Sequence, residues 1–120
     1  MNLPTESLKR EMISWRRDIH KYPELGFNEI RTSKLIEQLL TSFGLKVYRN
    51  FGKTGIVAHL EKNKAKNLTA IRADIDALPI KEETSLKYQS QNSGVMHACG
   101  HDGHTAILLG AAKFLSNDDS

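Results

Sequence analysis

The stretch Val95–Leu115, VMHACGHDGHTAILLGAAKFL, changes character near its middle, and that change decides how the chain is read. Up to His104 it is largely polar and punctuated by Gly100 and Gly103; from Thr105 it becomes a nearly unbroken apolar run rich in alanine and leucine. The second half, GHTAILLGAAKFL, therefore predicts a helix with Ile107, Leu108, Ala111, Phe114 and Leu115 on its buried stripe. Gly110, Ala111 and Ala112 would be small enough to approach a sheet closely. The first half packs the chain's single cysteine and three of its five histidines into eight residues.

Upstream, the pattern alternates between helix and strand signals. Leu8, Met12, Trp15 and Ile19 recur at helical spacing over Glu6 to Lys21, with Thr5 as N-cap and Pro23 as the stop. A second helix over Glu29 to Phe43 places Thr32, Ile36, Leu39 and Phe43 inward, with Leu35 and Leu40 widening the stripe, Asn28 as its cap and Gly44 at its C-terminal end. Three runs, LKVYRNF, TGIVAHLE and NLTAIRADI, then read as strands, separated by a Gly-Lys turn and by the polar KNKAKN turn. NLTAIRADI is the most apolar, and Pro79 bars a central ladder beyond it, so it reads as a buried strand ending in Asp74 and Asp76. Helices, strands and a further helix in this order imply an α/β fold: a layered mixed sheet with flanking helices. The tail SNDDS reads as frayed.

At 120 residues the chain has the length of one domain or part of one. The abrupt stop one helix after the most chemically loaded segment reads as a domain cut short. No apolar run approaches the roughly 20 residues that span a bilayer. The N-terminus lacks the basic, apolar, small-residue order of a secretory signal, so the expected location is cytoplasmic. The net charge of +3 is spread over helix faces and loops without an aromatic platform, which argues against nucleic acid as a partner. Cys99 has no cysteine partner, so an intrachain disulfide is excluded and the thiol is inert, reactive or a metal ligand.

Three segments carry chemistry. In HACGHDGH a helix would put His97, His101 and His104 on one face, although the glycines oppose it; an extended chain would bring Cys99 and His101 together. A thiolate beside an imidazole suits a first-row transition metal, zinc being the usual occupant. Asp102 and His104 would open the following helix, whose positive end favours a nearby thiolate. In RADIDALPI, Asp74 and Asp76 stand two apart at a strand terminus, where a carboxylate can hold a metal-bound histidine. In RRDIHKYPELGFNE, His20 at a helix end reads first as a C-terminal cap or surface residue.

Taken together, RRDIHKYPELGFNE, IRADIDALPI and MHACGHDGHTAILLGAA, in this order and at these separations, resemble the N-terminal part of the metal-dependent amidohydrolases that include hippurate hydrolase, N-acyl-amino-acid amidohydrolases and the plant auxin-conjugate hydrolases, within the aminoacylase and carboxypeptidase metallopeptidase superfamily. The resemblance implies that residues 1–120 are the N-terminal portion of a dinuclear catalytic domain, without its lid and dimerisation domain. It implies two divalent metal ions, zinc or manganese first, with cobalt or nickel as alternatives. Cys99 would bridge the metals, His101 would ligate one, and Asp76 would steady a ligand histidine. It assigns no role to His20, His97, Asp102 or His104.

The reaction implied is hydrolysis of a small N-acyl amino acid by a metal-activated water, with a glutamate as general base. The paired glutamates and remaining ligand histidines of that family fall after the last helix, and His59, Glu82 and Glu83 do not replace them, so this chain alone is expected to be inactive. Two other readings stand beside it. One is a cysteine hydrolase with Cys99 activated by His101 or His97. The other is a non-enzymatic module that self-associates through an unfinished sheet edge.

Overall fold

The computed structural model describes residues 4–62 and 67–118. Helix α1, Glu6–Lys21, opens on Thr5, whose hydroxyl accepts the Leu8 N–H at 3.2 Å, and buries Leu8 and Ile19. Helix α2, Ile30–Ser42, starts one residue later than its sequence predicts. The N-cap position falls to Glu29, which makes no side-chain cap, in place of Asn28. Glu24 does the capping from the preceding turn: its carboxylate accepts the N–H groups of Arg31 and Thr32 at 2.9 and 2.7 Å and the Thr32 hydroxyl at 2.6 Å. An anion thus satisfies the orphan donors at the positive end of the helix. At the other end Gly44, at φ +87°, bonds back to Thr41 O while Leu45 N reaches Leu40 O, the paired bonds of a Schellman stop.

Strands β1, Lys46–Phe51, and β2, Gly55–His59, form an antiparallel hairpin pairing Lys46 with His59 and Val47 with Ala58. Its inward residues Val47, Ile56 and Ala58 join Leu45, Trp15, Phe43 and Ile75 against the buried trio Ile36, Leu40 and Leu109. Gly55 is obligatory, since a Cβ there would lie 2.4 Å from the Phe51 carbonyl oxygen. Glu29 and Ser33 lock α2 to the hairpin turn through the Thr54 hydroxyl and carbonyl, at 2.6 and 2.5 Å. Helix α3, His101–Asn117, packs along α1 and touches α2, completing an α/β arrangement.

Two sequence expectations are corrected. The run NLTAIRADI forms no ladder over its described residues; Leu68 and Ile71 are 83% and 61% exposed, and only Ile75 reaches the core. Apolar composition marks a strand that wants neighbours on both sides, and here β1 and β2 pair with each other instead. The stripe of α3 is also rotated: Asp102, Thr105, Ala106, Leu109 and Gly110 are buried, while Ile107 and Leu115 are exposed. A run that is apolar all round carries no phase, and the phase is set by the polar Asp102 and Thr105, which have partners inside. The KNKAKN turn and the last two residues of SNDDS lie largely outside the described residues, whereas Ser116 and Asn117 belong to α3.

Gly110 meets α1, not the sheet: an added Cβ would stand 2.5 Å from Met12 Sδ and under 3 Å from the adjoining carbons. Gly110→Ala is therefore expected to lower stability by about 1 kcal/mol, overpacking outweighing the gain in helix propensity. Thermal unfolding should show a Tm about 4 °C lower. A Tm at or above that of the parent would mean Met12 swings aside freely.

Candidate metal centre

The start of α3 has no side-chain cap of its own. Its N-cap is Gly100, held at φ +85°, a conformation costly for any residue with a Cβ. Its direction is set by three tethers from its first five residues. His101 Nδ1 lies 2.9 Å from Asp76 Oδ1 and 3.0 Å from the Asp76 carbonyl oxygen. Asp102 Oδ2 lies 2.8 Å from His20 Nδ1 and accepts from Arg16 Nε at 3.2 Å. The Thr105 hydroxyl donates to Asp74 O at 3.2 Å.

Asp76 is itself fixed by two isolated bridges. Ala77 pairs with Leu25 in the parallel sense, its N–H donating to Glu24 O at 2.8 Å, and Leu78 exchanges bonds of 2.9 and 3.0 Å with Met96. The end of the RADIDAL run is thus clamped between the turn after Pro23 and the cysteine segment. With its Nδ1 proton directed to two oxygens of Asp76, His101 keeps the Nε2 lone pair available, the carboxylate–histidine arrangement typical of metal ligands. Asp74 does not share this site: its carboxylate pairs with Arg72 at 2.8 Å. Cys99 is exposed, and His104 is exposed with its ring centroid 6.1 Å from that of His101.

His20 is no surface cap. It is 3% exposed, and its two nitrogens face two carboxylates, Asp102 Oδ2 at 2.8 Å and Glu82 Oε1 at 3.0 Å. The ring thus bridges two carboxylates from different segments. Burial would raise the Glu82 pKa, but hydrogen bonds from the Thr84 hydroxyl, the Ser90 N–H and His20, with the His20 charge, hold it below the ordinary glutamate value. His97 lies beside this network, its ring centroid 6.4 Å from that of His20. Burial pushes its pKa down, His20 and His101 push the same way, and the Asp102 and Asp76 charges pull against them. Among the described residues, both His97 ring nitrogens and Asp102 Oδ1 are buried without a hydrogen-bond partner.

The sequence therefore pointed to Asp76, Cys99 and His101, and the structure joins the first and last by a hydrogen bond. It missed Arg16 and Glu82. Their partners lie 86 and 62 residues away, and an acidic residue in KEETSLKYQ carries no spacing signal that separates a buried anchor from a solvated one. Among the described residues no three His, Cys, Asp or Glu side chains are gathered closely enough to hold a metal ion. Cys99, which is exposed, and His101, whose Nδ1 is bonded to Asp76, remain the two candidate donors that the sequence points to. No helix among them is long and apolar enough to cross a membrane.

The profile of peptidase family M20/M25/M40 matches residues 70–119, which include the Asp76 and Cys99–His101 segments. The hippurate hydrolase of Campylobacter jejuni is 50% identical over 99% of this chain and 32% of its own length. The N-acyl-L-amino acid amidohydrolase of Geobacillus stearothermophilus is 48% identical over 92% of this chain and 30% of its own length. The crystal structure of the Bacillus subtilis YXEP protein, described as a dinuclear metal binding peptidase from the M20 family, superposes with a TM-score of 0.88 at 42% identity, covering 92% of this chain and 31% of that one. The chain spans about a third of the length of the curated relatives it matches.

Proposed function

We propose, from the premise that this chain is related to the metal-dependent amidohydrolases and peptidases of family M20/M25/M40, that residues 1–120 are the N-terminal portion of a catalytic domain that hydrolyses the amide bond of N-acyl amino acids in the cytoplasm. The observation that carries this reading is the His101–Asp76 pair, which orients an imidazole at a helix start two residues from an exposed thiol. Cys99 and His101 would hold the metal pair, with Asp76 fixing the His101 ring; a thiolate and an imidazole suit zinc, with manganese, cobalt or nickel as alternatives. When bound, the metal supplies Lewis-acid chemistry at the amide carbonyl.

The chain's own residues do the positioning. Asp76 withholds one His101 nitrogen and exposes the other, and the Gly100 turn places Cys99 immediately before the first turn of α3. Glu82 does not serve as general base, because its two oxygens are already engaged by His20, Thr84 and Ser90. The base and further ligands therefore come from outside these residues, and the 120-residue chain assayed alone should be inactive.

The test is hydrolysis of a panel of N-acyl amino acids by the full-length protein. Release of free amino acid should stop with a chelator and return with zinc or manganese, while residues 1–120 alone give none. Turnover that survives the chelator but not iodoacetamide would move the chemistry to Cys99 as a nucleophile. The structure gives that alternative no support, since His97 makes no hydrogen bond among the described residues and the bonded nitrogen of His101 faces Asp76. Self-association is a secondary reading, favoured by the exposed Tyr48, Phe51 and Val57 on the two-stranded sheet.

A further inference from the structure

The buried His20 bridge is not accounted for by the ligand set. It joins α1 to two places at once: through Nδ1 to Asp102 in the first turn of α3, and through Nε2 to Glu82 in the 81–90 segment. The two arms differ in what they can influence. Asp102 is covalently next to His101, and the helix start they share has a left-handed glycine in place of a capping side chain. A rotation of that first turn moves the His101 ring directly. Glu82 is already secured by the Thr84 hydroxyl at 2.5 Å and the Ser90 N–H at 2.6 Å, so its segment keeps anchors if His20 lets go.

Arg16 also reaches Asp102, but at 3.2 Å and from a side chain 45% exposed, so it constrains direction weakly beside a histidine 4% exposed at 2.8 Å. Asp102 Oδ1 has no partner among the described residues, which leaves Oδ2 as the point by which they hold that carboxylate.

We propose that His20 is a positioning residue for the metal centre: its Nδ1 bond to Asp102 sets the direction in which α3 presents His101, while its Nε2 bond to Glu82 serves folding alone. This rests on the reading of His101 as a metal ligand. It extends the orienting shell of the centre from Asp76, which fixes the His101 ring, to a residue of α1 that fixes the backbone carrying that ring.

The two arms can be separated with side chains that copy one histidine nitrogen each. An asparagine amide falls near Nδ1 and retains the donor to Asp102; a glutamine amide falls near Nε2 and retains the donor to Glu82. Each variant loses one bond of the bridge, so a purely structural role would affect both in the same way. His20→Asn, His20→Gln and the parent, as full-length protein, would be titrated with zinc alone by calorimetry, with unfolding followed in parallel. The expected result is a zinc Kd weakened about tenfold or more in His20→Gln and less than about threefold in His20→Asn. Equal affinities in the two, or losses that merely follow Tm, would overturn the proposal.

Should His20→Gln fail to fold, Glu82→Gln decides alone: it weakens the outer arm and should leave the zinc Kd within about threefold of the parent, and a tenfold loss would refute the division of roles. A parent protein that binds no zinc would instead sink the ligand reading of His101, an outcome distinct from equal binding by all variants.

Discussion

Asp102→Ala is expected to remove about 3–5 kcal/mol of stability. Asp102 is fully buried and holds both His20 and Arg16 through one oxygen. Removing it leaves the buried His20 Nδ1 without its hydrogen-bond partner, which is the costly half of a broken buried pair. Arg16 contributes little to the loss, since a guanidinium already 45% exposed regains water. The unpartnered Oδ1 works the other way, because its deletion relieves a desolvated atom, and this places the effect at the lower end of the range. Against a typical domain stability of about 5–15 kcal/mol, roughly a fifth or more would be gone. Urea unfolding should show the midpoint falling with an unchanged slope. Asp102→Asn, which keeps an oxygen for the His20 N–H, should lose less than half as much. A drop under about 1 kcal/mol for Asp102→Ala would mean that the bridge is solvated in solution.

How much of this was legible beforehand follows from how local each signal is. The Thr5 cap, the Leu8 to Ile19 stripe, the Gly44 stop and the first two strands all depend on neighbours a few residues away, and these stand in the structure as the sequence implied. The phase of α3 was not legible, because AILLGAA is apolar on every side. Its orientation is chosen by Asp102 and Thr105, whose partners His20 and Asp74 are 82 and 31 residues distant. The third strand failed for a related reason: apolar content reports a wish for burial, but a ladder needs a neighbour, and no pattern within NLTAIRADI says whether one is there. Glu24 capping α2 in place of Asn28 shows the same limit at shorter range, since a carboxylate seven residues before Arg31 N takes the bond a nearer residue was expected to make.

The site divides in the same way. Cys99 and His101 stood out as candidates because their chemistry is concentrated in sequence, and Asp76 because the family resemblance implies an aspartate there that steadies a ligand histidine. The network behind them was invisible, because the residues that orient a ligand need only be close in space.

Cys99→Ala combined with His101→Ala should abolish metal binding by the full-length protein, whereas Asp76→Asn should weaken it about 10- to 100-fold without abolishing it. The contrast follows from what each side chain contributes. The thiolate and the His101 Nε2 are donors in their own right, and deleting both leaves this part of the chain with nothing to offer, since His97 is buried and His104 stands outside the bonded cluster. Asp76 donates nothing to the metal in this reading. The Asp76→Asn side chain would keep an oxygen for the His101 Nδ1–H, and the backbone carbonyl of residue 76 at 3.0 Å remains in either case, so the ring retains its tautomer while losing the carboxylate charge that makes it a better donor. Metal content by mass spectrometry after exhaustive dialysis, with zinc affinity by competition against a chromogenic chelator, separates the outcomes. Full metal retention in the double variant would place the centre on other residues. Loss in Asp76→Asn as complete as in the double variant would make Asp76 a ligand itself, and the His101–Asp76 bond would then be a feature of the metal-free site alone.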